Sequence, residues 1–229
     1  MLHKTKGIVL NFIKYKETSI ITKIYTADFG LQTYIVNGVR SSKSKHKIAL
    51  YQPLTQLDLV VYKKPHGDIN RLSEVKCSSH YTSIPFDILK STLAMFITEI
   101  LSKALKEEAE DRALFSFIAE SLMTLDKMEH GFESFHIQFL CRLSTYLGFS
   151  ILSADEVFEQ VHIHANHTQL AQLEKETLDK LIASSYEEAS PSNGKIRREL
   201  VLLLVQFYRL HLPSFGDVKS LSILTEVLH

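Results

Sequence analysis

The amino-acid sequence predicts an α+β multidomain protein, in which a small N-terminal β-barrel is followed by an all-α helical bundle. The first eighty residues form short β-branched and aromatic runs, whereas later apolar residues recur at intervals of three and four. Charge divides at the same place, since residues 1–80 carry 13 Lys and Arg against 5 Asp and Glu, and residues 81–229 carry 13 against 21. We therefore expect two domains, residues 1–80 and residues 81–229.

Five strands are predicted in the first domain. The apolar and β-branched runs that indicate them lie at residues 8–12, 20–25, 31–36, 57–62 and 69–75. Gly30 suits the turn between the second and third strands, because glycine accepts a positive φ at no steric cost. A basic segment and a short helical turn ended by Pro53 separate the third strand from the fourth. Five strands with such an insertion are typical of an OB-fold barrel.

The second domain is predicted to be entirely helical. Amphipathic stretches indicate helices at residues 86–105, 111–128, 133–147, 168–185, 195–211 and 218–228. Pro85 is expected in the first turn of the first helix, where a missing N–H breaks no hydrogen bond. Gly148 follows the third helix and is a typical C-terminal cap residue.

Motifs of catalysis and of phosphate binding are absent from the sequence. Gly194-Lys195 lacks the earlier glycine of a phosphate-binding loop, and GxGxxG, GxSxG and HExxH do not occur. Acidic pairs such as Glu107-Glu108 are more typical of solvated helix faces than of acid–base catalysis. The sequence therefore predicts a protein that is not an enzyme and that uses no cofactor.

Three histidines, His162, His164 and His167, stand within six residues and are the one candidate for metal binding. A structural zinc site usually has four ligands, and neither of the two cysteines of the chain is nearby. We expect a polar surface loop and no metal, although the histidine sequence leaves the metal alternative open.

The N-terminus shows alternating rather than continuous apolar residues, which is not typical of a signal peptide. The longest uncharged run, between Arg142 and Asp155, is shorter than the roughly 18 residues of a membrane-spanning helix. Two cysteines cannot build a disulfide scaffold. We expect a cytoplasmic protein with no membrane partner.

Six ordered segments carry a resemblance to a known family. In the first domain they are Tyr15-Lys16-Glu17-Thr18-Ser19, Tyr25-Thr26-Ala27-Asp28-Phe29-Gly30, Gly38-Val39-Arg40-Ser41-Ser42-Lys43-Ser44 and Gln52-Pro53-Leu54. In the second half they are Tyr146-Leu147-Gly148-Phe149 and Lys219-Ser220-Leu221. In their order and spacing these segments resemble RecO, the bacterial DNA repair and recombination mediator.

The resemblance implies a nucleoid-associated protein whose OB-fold domain binds single- and double-stranded DNA and promotes strand annealing. It also implies a helical domain that binds RecR and the acidic C-terminal tail of single-stranded-DNA-binding protein, and that helps to load recombinase onto coated strands. The sequence departs from the family at two places. The four cysteines of the zinc site that many members carry are absent, and Asn37 stands where a lysine is common.

Cations and aromatic rings interleave in the first domain, which is how OB-type barrels contact phosphates and bases. Residues 40–47 concentrate five basic side chains without a carboxylate, and this segment is the strongest candidate for DNA contact. Core packing is favoured instead for Phe12, Tyr25 and Tyr34. The candidate DNA-binding residues are Lys14, Lys16, Arg40, Lys43, Lys45, Lys47, Lys63 and Arg71, with Tyr15, Tyr51 and Tyr62 as stacking rings. The alternative is an adaptor whose basic barrel binds an acidic protein.

The candidate partner-binding residues lie in the third predicted helix. Arg142 is a cation at the border of an apolar stripe, with Leu143 within the stripe and Tyr146 one turn later. An acidic tail that ends in phenylalanine needs an apolar slot and a cation for its carboxylate. We expect Arg142, Leu143 and Tyr146 to form that slot, and a surface salt bridge of Arg142 to a neighbouring glutamate is the alternative.

Overall fold

The structure, a computed structural model, describes residues 2–41, 47–62, 69–105, 110–161, 169–188 and 193–228. It divides into two compact units. The barrel unit comprises Met1–Tyr81 and Leu105–Leu122, and the helical unit comprises Thr82–Ala104 and Met123–His229. The predicted fold class, an OB-type barrel followed by helices, is confirmed. None of the helices within the described ranges is long and apolar enough to cross a bilayer.

Five strands form a closed barrel in the order β1-β2-β3-β5-β4. The strands are β1 (Leu2–Tyr15), β2 (Ser19–Thr26), β3 (Gly30–Val36), β4 (Gln56–Tyr62) and β5 (Asn70–Ser79). All neighbouring pairs are antiparallel except β3 and β5, which are parallel. β1 pairs with β4 along its first half and with β2 along its second half, so this one long strand closes the barrel.

Buried side chains of the strands form the barrel core. Its central cluster contains Val9, Ile24, Tyr34, Leu57, Leu59 and Val61. Tyr25 and Tyr34 are 2% and 1% exposed, and Phe12 packs half-buried against a second cluster, so the predicted core packing of these three rings is confirmed. Gly30 has a φ of 64° in the turn between β2 and β3, as the sequence predicted.

Helix α2 (Arg112–Lys127) contributes residues to both compact units, and its first turns belong to the barrel unit. Arg112 Nη2 lies 2.6 Å from the Asp28 carboxylate in the β2–β3 turn. Gln56 Nε2 donates to the Ala119 carbonyl at 3.0 Å. These contacts hold a helical segment from far along the chain against the strands.

The other helices are α1 (Ile88–Ala104), α3 (Phe135–Tyr146), α4 (Ala154–Gln160), α5 (Gln169–Ala183), α6 (Gly194–His211) and α7 (Ser220–Leu228). Gly148 has a φ of 87° just beyond α3, and Phe149 N donates to the Ser144 carbonyl at 3.1 Å, which confirms the predicted cap. The short helix α4 was not predicted, although Ser153 caps it by accepting from Glu156 N at 3.3 Å.

Helix α1 begins later than the sequence predicted. Pro85 lies in the turn before the helix rather than in its first helical turn. The Asp87 carboxylate accepts hydrogen bonds from Leu89 N at 2.8 Å and from Lys90 N at 3.1 Å. A capping carboxylate satisfies N–H groups that have no partner within the helix, and it therefore places the helix start.

The Lys219-Ser220 step is held by a carboxylate of another helix. Glu99 of α1 accepts from Lys219 N at 2.9 Å, from Ser220 N at 2.8 Å and from the Ser220 hydroxyl at 2.7 Å. Burial alone would raise the pKa of Glu99, but these hydrogen bonds and the nearby Lys103 lower that pKa below its ordinary value. Glu99 thus caps α7, which gives the Lys219-Ser220 step a structural role.

A buried lysine and a buried aspartate organise the start of the helical unit. Lys90 and Asp126 are 3% and 4% exposed. The Asp126 carboxylate accepts from the backbone N–H groups of Thr82, Ser83 and Ile84 at 2.7–2.9 Å. The Lys90 ammonium donates to the Ser83 hydroxyl and to the carbonyl oxygens of Asp126 and Met128. The segment 82–84, α1 and the end of α2 are therefore tied together by charge-assisted hydrogen bonds.

Candidate nucleic-acid interface

The turn between β1 and β2 presents two of the predicted DNA-binding lysines. Lys14 and Lys16 are exposed at the end of β1, and Tyr15 is half-buried between them. The pairing of Tyr15 with Ser19 closes the turn, in which Lys16 has a φ of 49°. Lys16 Nζ lies 5.4 Å from the centroid of the Tyr15 ring, within the range of a cation–π contact.

The segment after β3 folds back onto this turn and carries Arg40 with it. Arg40 N donates to the Thr18 carbonyl at 3.0 Å, and Arg40 Nη1 donates to the Lys16 carbonyl at 3.2 Å. Asn37, in the same segment, accepts a hydrogen bond from the Ser19 hydroxyl at 3.0 Å. The structure therefore brings cations that are 24 residues apart in sequence to one place.

Strand register places Arg71 at the same end of the barrel. Ile35, near the end of β3, pairs with Arg71 at the start of β5, and Arg71 pairs with Tyr62 at the end of β4. Arg71 is exposed, and the Tyr62 ring is 47% exposed. We call this end of the barrel, with Lys14, Lys16, Arg40 and Arg71, the basic end. OB folds bind oligonucleotides with the loops that follow β1 and β4, and β1 and β4 end at Tyr15 and Tyr62 in this structure.

Tyr51 is not available for base stacking, so this prediction was wrong. The ring is 3% exposed and packs against Ile20 and Val39 in the second core cluster. Burial raises the pKa of its phenol to about 12. Stacking requires an exposed ring face, and Tyr51 instead ends the 3₁₀ turn Lys47–Tyr51 that covers this side of the core. Lys47, at the other end of that turn, is exposed.

Several predicted residues lie outside the described part of the chain. Lys43 and Lys45 fall within residues 42–46, and Lys63 falls within residues 63–68. The histidines of the 162–167 cluster lie within residues 162–168, so the structure does not describe them either. Among the residues that it does describe, no group of three His, Cys, Asp or Glu side chains is arranged to hold a metal ion.

The thiols of the chain do not fit a four-cysteine zinc site. The chain has two cysteines, Cys77 on β5 and Cys141 in α3. Cys141 is buried, and burial raises the pKa of its thiol to about 12, which disfavours the thiolate that zinc binds. Cys77 is half-buried, and its thiol donates to the Ser79 carbonyl.

A second group of lysines on the barrel is interspersed with carboxylates. Lys6 pairs across the strands with Asp58, and Asp58 pairs with Lys76, so one outward row alternates in charge. A groove of about 490 Å³ is lined there by Lys4, Lys6, Lys76, Asp28, Asp58 and Glu74, among other residues. Because the three lysines and three carboxylates balance, this groove has little net positive potential to attract the phosphates of DNA. This face is therefore a weaker candidate for DNA than the basic end.

The three residues of the predicted partner slot on α3 differ in their exposure. Leu143 is fully buried in the core of the helical unit, so its predicted role in binding a partner was wrong. The Arg142 guanidinium lies 4.1 Å from the centroid of the Tyr186 ring, and its Nη2 donates to the Ser184 carbonyl at 2.7 Å. Tyr146, one turn further along, is 40% exposed. Arg142 and Tyr146 remain candidates for a partner surface.

Both halves of the chain match models of one protein family. Residues 1–81 match the protein-family model described as "Recombination protein O N terminal". Residues 85–221 match the model described as "Recombination protein O C terminal". These two matches together span most of the 229 residues.

Curated relatives are similar over nearly their whole length. A protein of Bacteroides fragilis named "DNA repair protein RecO" is 35% identical over 242 aligned residues, with 99% of each chain covered. Proteins of the same name from Phocaeicola vulgatus and Flavobacterium psychrophilum are 34% and 35% identical, with 99% and 98% of each chain covered.

Proposed function

The chain belongs to the RecO family of DNA repair proteins, and from this premise we propose that it is a non-enzymatic mediator of homologous recombination. In this proposal the barrel unit binds single- and double-stranded DNA through its basic end and anneals complementary strands. The protein then helps to load recombinase onto strands that single-stranded-DNA-binding protein has coated. Because its proposed substrate is chromosomal DNA, we infer that it works at the nucleoid in the cytoplasm.

The observation that carries this proposal is the convergence of cations at one end of the barrel. Arg40 is hydrogen-bonded to the turn that carries Lys14 and Lys16, and strand register adds Arg71. Clustered cations raise the local concentration of a polyanion, and contacts to phosphates release its counterions on binding. The net charge of +8 on residues 1–80 supports the same assignment.

The proposal is tested with the full chain and two labelled probes, a single-stranded oligonucleotide and a duplex. We expect log Kd to rise linearly with log salt concentration, by roughly 0.7 for each phosphate contact on a single strand and 0.9 on a duplex. We also expect faster annealing of complementary strands in the presence of the protein. Binding to neither probe would contradict the proposal, and DNA binding without faster annealing would remove the annealing part of it.

We extend the proposal to two protein partners, RecR and the acidic tail of single-stranded-DNA-binding protein, on the strength of family membership. The helical unit offers one physical feature for the tail. A guanidinium has five N–H donors in a planar fork, and the Ser184 carbonyl accepts from one terminal nitrogen of Arg142. Stacking on Tyr186 orients this fork, which is the arrangement that suits a carboxylate ligand.

Replacing Arg142 by alanine is expected to weaken binding of a fluorescent acidic tail peptide by about tenfold or more, corresponding to the 1.5–3 kcal/mol of a charge-assisted hydrogen bond. The measurement is a titration of the peptide followed by fluorescence anisotropy. Arg209→Ala is the matched control, because Arg209 is an exposed cation of the same unit that pairs with Asp217. Equal affinity of wild type and Arg142→Ala, with unchanged melting temperatures, would place the tail elsewhere on the helical unit.

A further inference from the structure

Helices α1 and α7 of the helical unit pack along each other in opposite directions. Glu99 of α1 binds the first residues of α7. At the other end of α7, the Leu228 carbonyl accepts from Arg197 Nη2 at 2.9 Å. The turn Phe132–Ser134 connects this end to the start of α1, because its glutamate interacts electrostatically with Arg197 and its phenylalanine ring lies 5.2 Å from Lys90 Nζ. The two helices are therefore antiparallel.

The outward side of this helix pair is apolar. Phe86, just before α1, is 85% exposed, and Ile88 is 72% exposed. Met95 on α1 is 40% exposed, and Ile223 and Val227 on α7 are 45% and 37% exposed. Because the helices are antiparallel, Ile223 comes level with Met95, and Val227 lies toward Ile88. We call these five residues the two-helix face.

The spacing of the residues indicates that the exposed sides of α1 and α7 adjoin. On α7, Ser220, Ile223 and Val227 stand at intervals of three and four, so they form one stripe. Glu99 of α1 binds the Ser220 hydroxyl at 2.7 Å, which places this stripe beside α1. A matching stripe on α1 also repeats at intervals of three and four, and it consists of Ile88, Ser91, Met95, Thr98 and Ser102. Side chains with this spacing are those by which one helix packs against another.

The hydroxyl groups on this side of the helices already have hydrogen-bond partners in their own segment of chain. Those of Ser91, Thr98 and Ser102 donate to backbone carbonyls of α1 at 2.7–3.0 Å. Those of Ser222 and Thr225 donate to backbone carbonyls at 3.1 Å and 2.9 Å. A hydroxyl that keeps its hydrogen bond loses little when it leaves water. This side of the helix pair can therefore be buried against an apolar surface.

The charges of α1 and α7 do not favour a charged ligand. Lys90 is 3% exposed, and Glu99 caps α7 and lies 3.7 Å from Lys103 Nζ. The remaining charged side chain of these two helices, Glu226, is exposed about a quarter-turn around α7 from the apolar stripe. DNA and acidic peptides require cations, and an amphipathic face that binds a membrane is ordinarily flanked by Lys and Arg. A second copy of an apolar face requires no opposite charge.

We propose that the two-helix face is the interface of a two-fold symmetric homodimer, in which α1 and α7 pack against the same helices of a second copy. With roughly 150–200 Å² for a fully exposed side chain of this size, the five exposed fractions amount to about 400–550 Å² of apolar surface. A standard interface buries about 800 Å² on each partner, and a little over half of that area is apolar. The face therefore supplies the apolar part of one side of such an interface, and two-fold dimers are the commonest symmetric assembly.

The test is sedimentation equilibrium of the full chain under reducing conditions, which prevent a disulfide between copies. Interfaces of standard size have Kd values in the micromolar range or tighter. We therefore expect the mass to rise from that of one chain toward that of two as the concentration increases to about 100 μM. Met95→Glu and Ile223→Glu are each expected to raise the Kd of the dimer by about tenfold or more, because each places like charges together in the interface. Leu152→Glu is the matched control, because Leu152 is a 76% exposed leucine between α3 and α4, and it should leave the dimer unchanged.

A charge-reversal experiment keeps the test independent of any loss of folding. Met95 is the middle residue of its stripe on α1, so it lies near the two-fold axis of an interface centred there. Met95→Glu and Met95→Lys should each be monomeric alone, and an equimolar mixture of the two should form dimers again.

Three outcomes would overturn the proposal: a wild-type chain that stays monomeric, a dimer that both glutamate variants leave intact, or a mixture that remains monomeric. Binding of the monomeric wild type to vesicles of neutral lipid, lost in Met95→Glu, would assign the face to a membrane surface instead. The dimer and the proposed function are tested separately, since sedimentation requires no DNA.

Discussion

Asp126→Ala is expected to lower the free energy of unfolding of the helical unit by about 3–5 kcal/mol, because three backbone N–H groups lose their acceptor and a buried donor without a partner costs about 1–3 kcal/mol. The substitution deletes the acceptor of three successive backbone N–H groups, those of Thr82, Ser83 and Ile84. The Lys90 ammonium donates to the backbone carbonyls of Asp126 and Met128, and the substitution leaves both of these acceptors in place. A buried donor or charge without its partner bears its full desolvation penalty.

The measurement is urea denaturation followed by circular dichroism, with Asp179→Ala as the matched control. Asp179 is an exposed aspartate that accepts one hydrogen bond, from Ala154 N at 2.7 Å at the start of α4. Removing such a cap costs about 1 kcal/mol. Equal losses in the two variants would show that burial and multiple hydrogen bonds do not distinguish Asp126.

The stabilisation by Asp126 should also depend on pH. Burial alone would raise the pKa of Asp126, but hydrogen bonds from the backbone of Ile84, Thr82 and Ser83 and from the Thr82 hydroxyl lower that pKa below its ordinary value. A carboxyl whose pKa is lower in the folded state stabilises that state fully above its unfolded pKa of about 3.9. The stability difference between wild type and Asp126→Asn should therefore hold at neutral pH and shrink as the pH falls below about 3.9.

The triple variant Lys14→Ala, Lys16→Ala and Arg71→Ala is expected to bind DNA roughly a hundredfold more weakly at low salt, about 1 kcal/mol for each lost contact. All three side chains are exposed at the basic end, so stability should change by less than about 0.5 kcal/mol for each substitution. The slope of log Kd against log salt concentration should fall by about 2–3, since each lost phosphate contact removes 0.7–0.9.

A second triple variant, Lys4→Ala, Lys6→Ala and Lys76→Ala, removes the same charge from the other face of the barrel. Because Asp28, Asp58 and Glu74 line that groove, we expect a change in affinity of less than about fivefold. Both variants are measured by fluorescence anisotropy across a salt series. Similar losses in the two would mean that DNA responds to the total charge of the barrel rather than to its basic end.

The sequence alone determined the class of fold and the order of its elements. Alternation with a period of two predicts strands, and spacings of three and four predict helices, because each pattern places apolar residues on one face. Gly30 and Gly148 marked a turn and a helix end, since both positions have a positive φ in the structure. The short helix α4 lacked such a pattern, because seven residues hold too few turns to show a period.

Only the tertiary structure decided which side chains of the right chemical type are accessible. Tyr51 and Leu143 were chosen by residue type and by their neighbours in sequence, and both are buried. The sequence of the helix that contains Leu143, or of the turn that ends at Tyr51, does not reveal which of its faces another element covers. The interior position of Tyr51 depends on Ile20 and Val39, which come from different parts of the chain.

The sequence alone likewise could not show which cations lie together on one surface. The composition of residues 1–80 counts every lysine alike. In the structure, however, strand pairing places Lys6 and Lys76 next to Asp58. The same pairing sets Ile13, Ile21 and Ile35 in one outward row that continues to Arg71. Hydrogen bonds between strands join residues distant in sequence, and a shift of one residue would turn each side chain to the opposite face. Local sequence therefore determined the strands, and their register decided which residues form a surface.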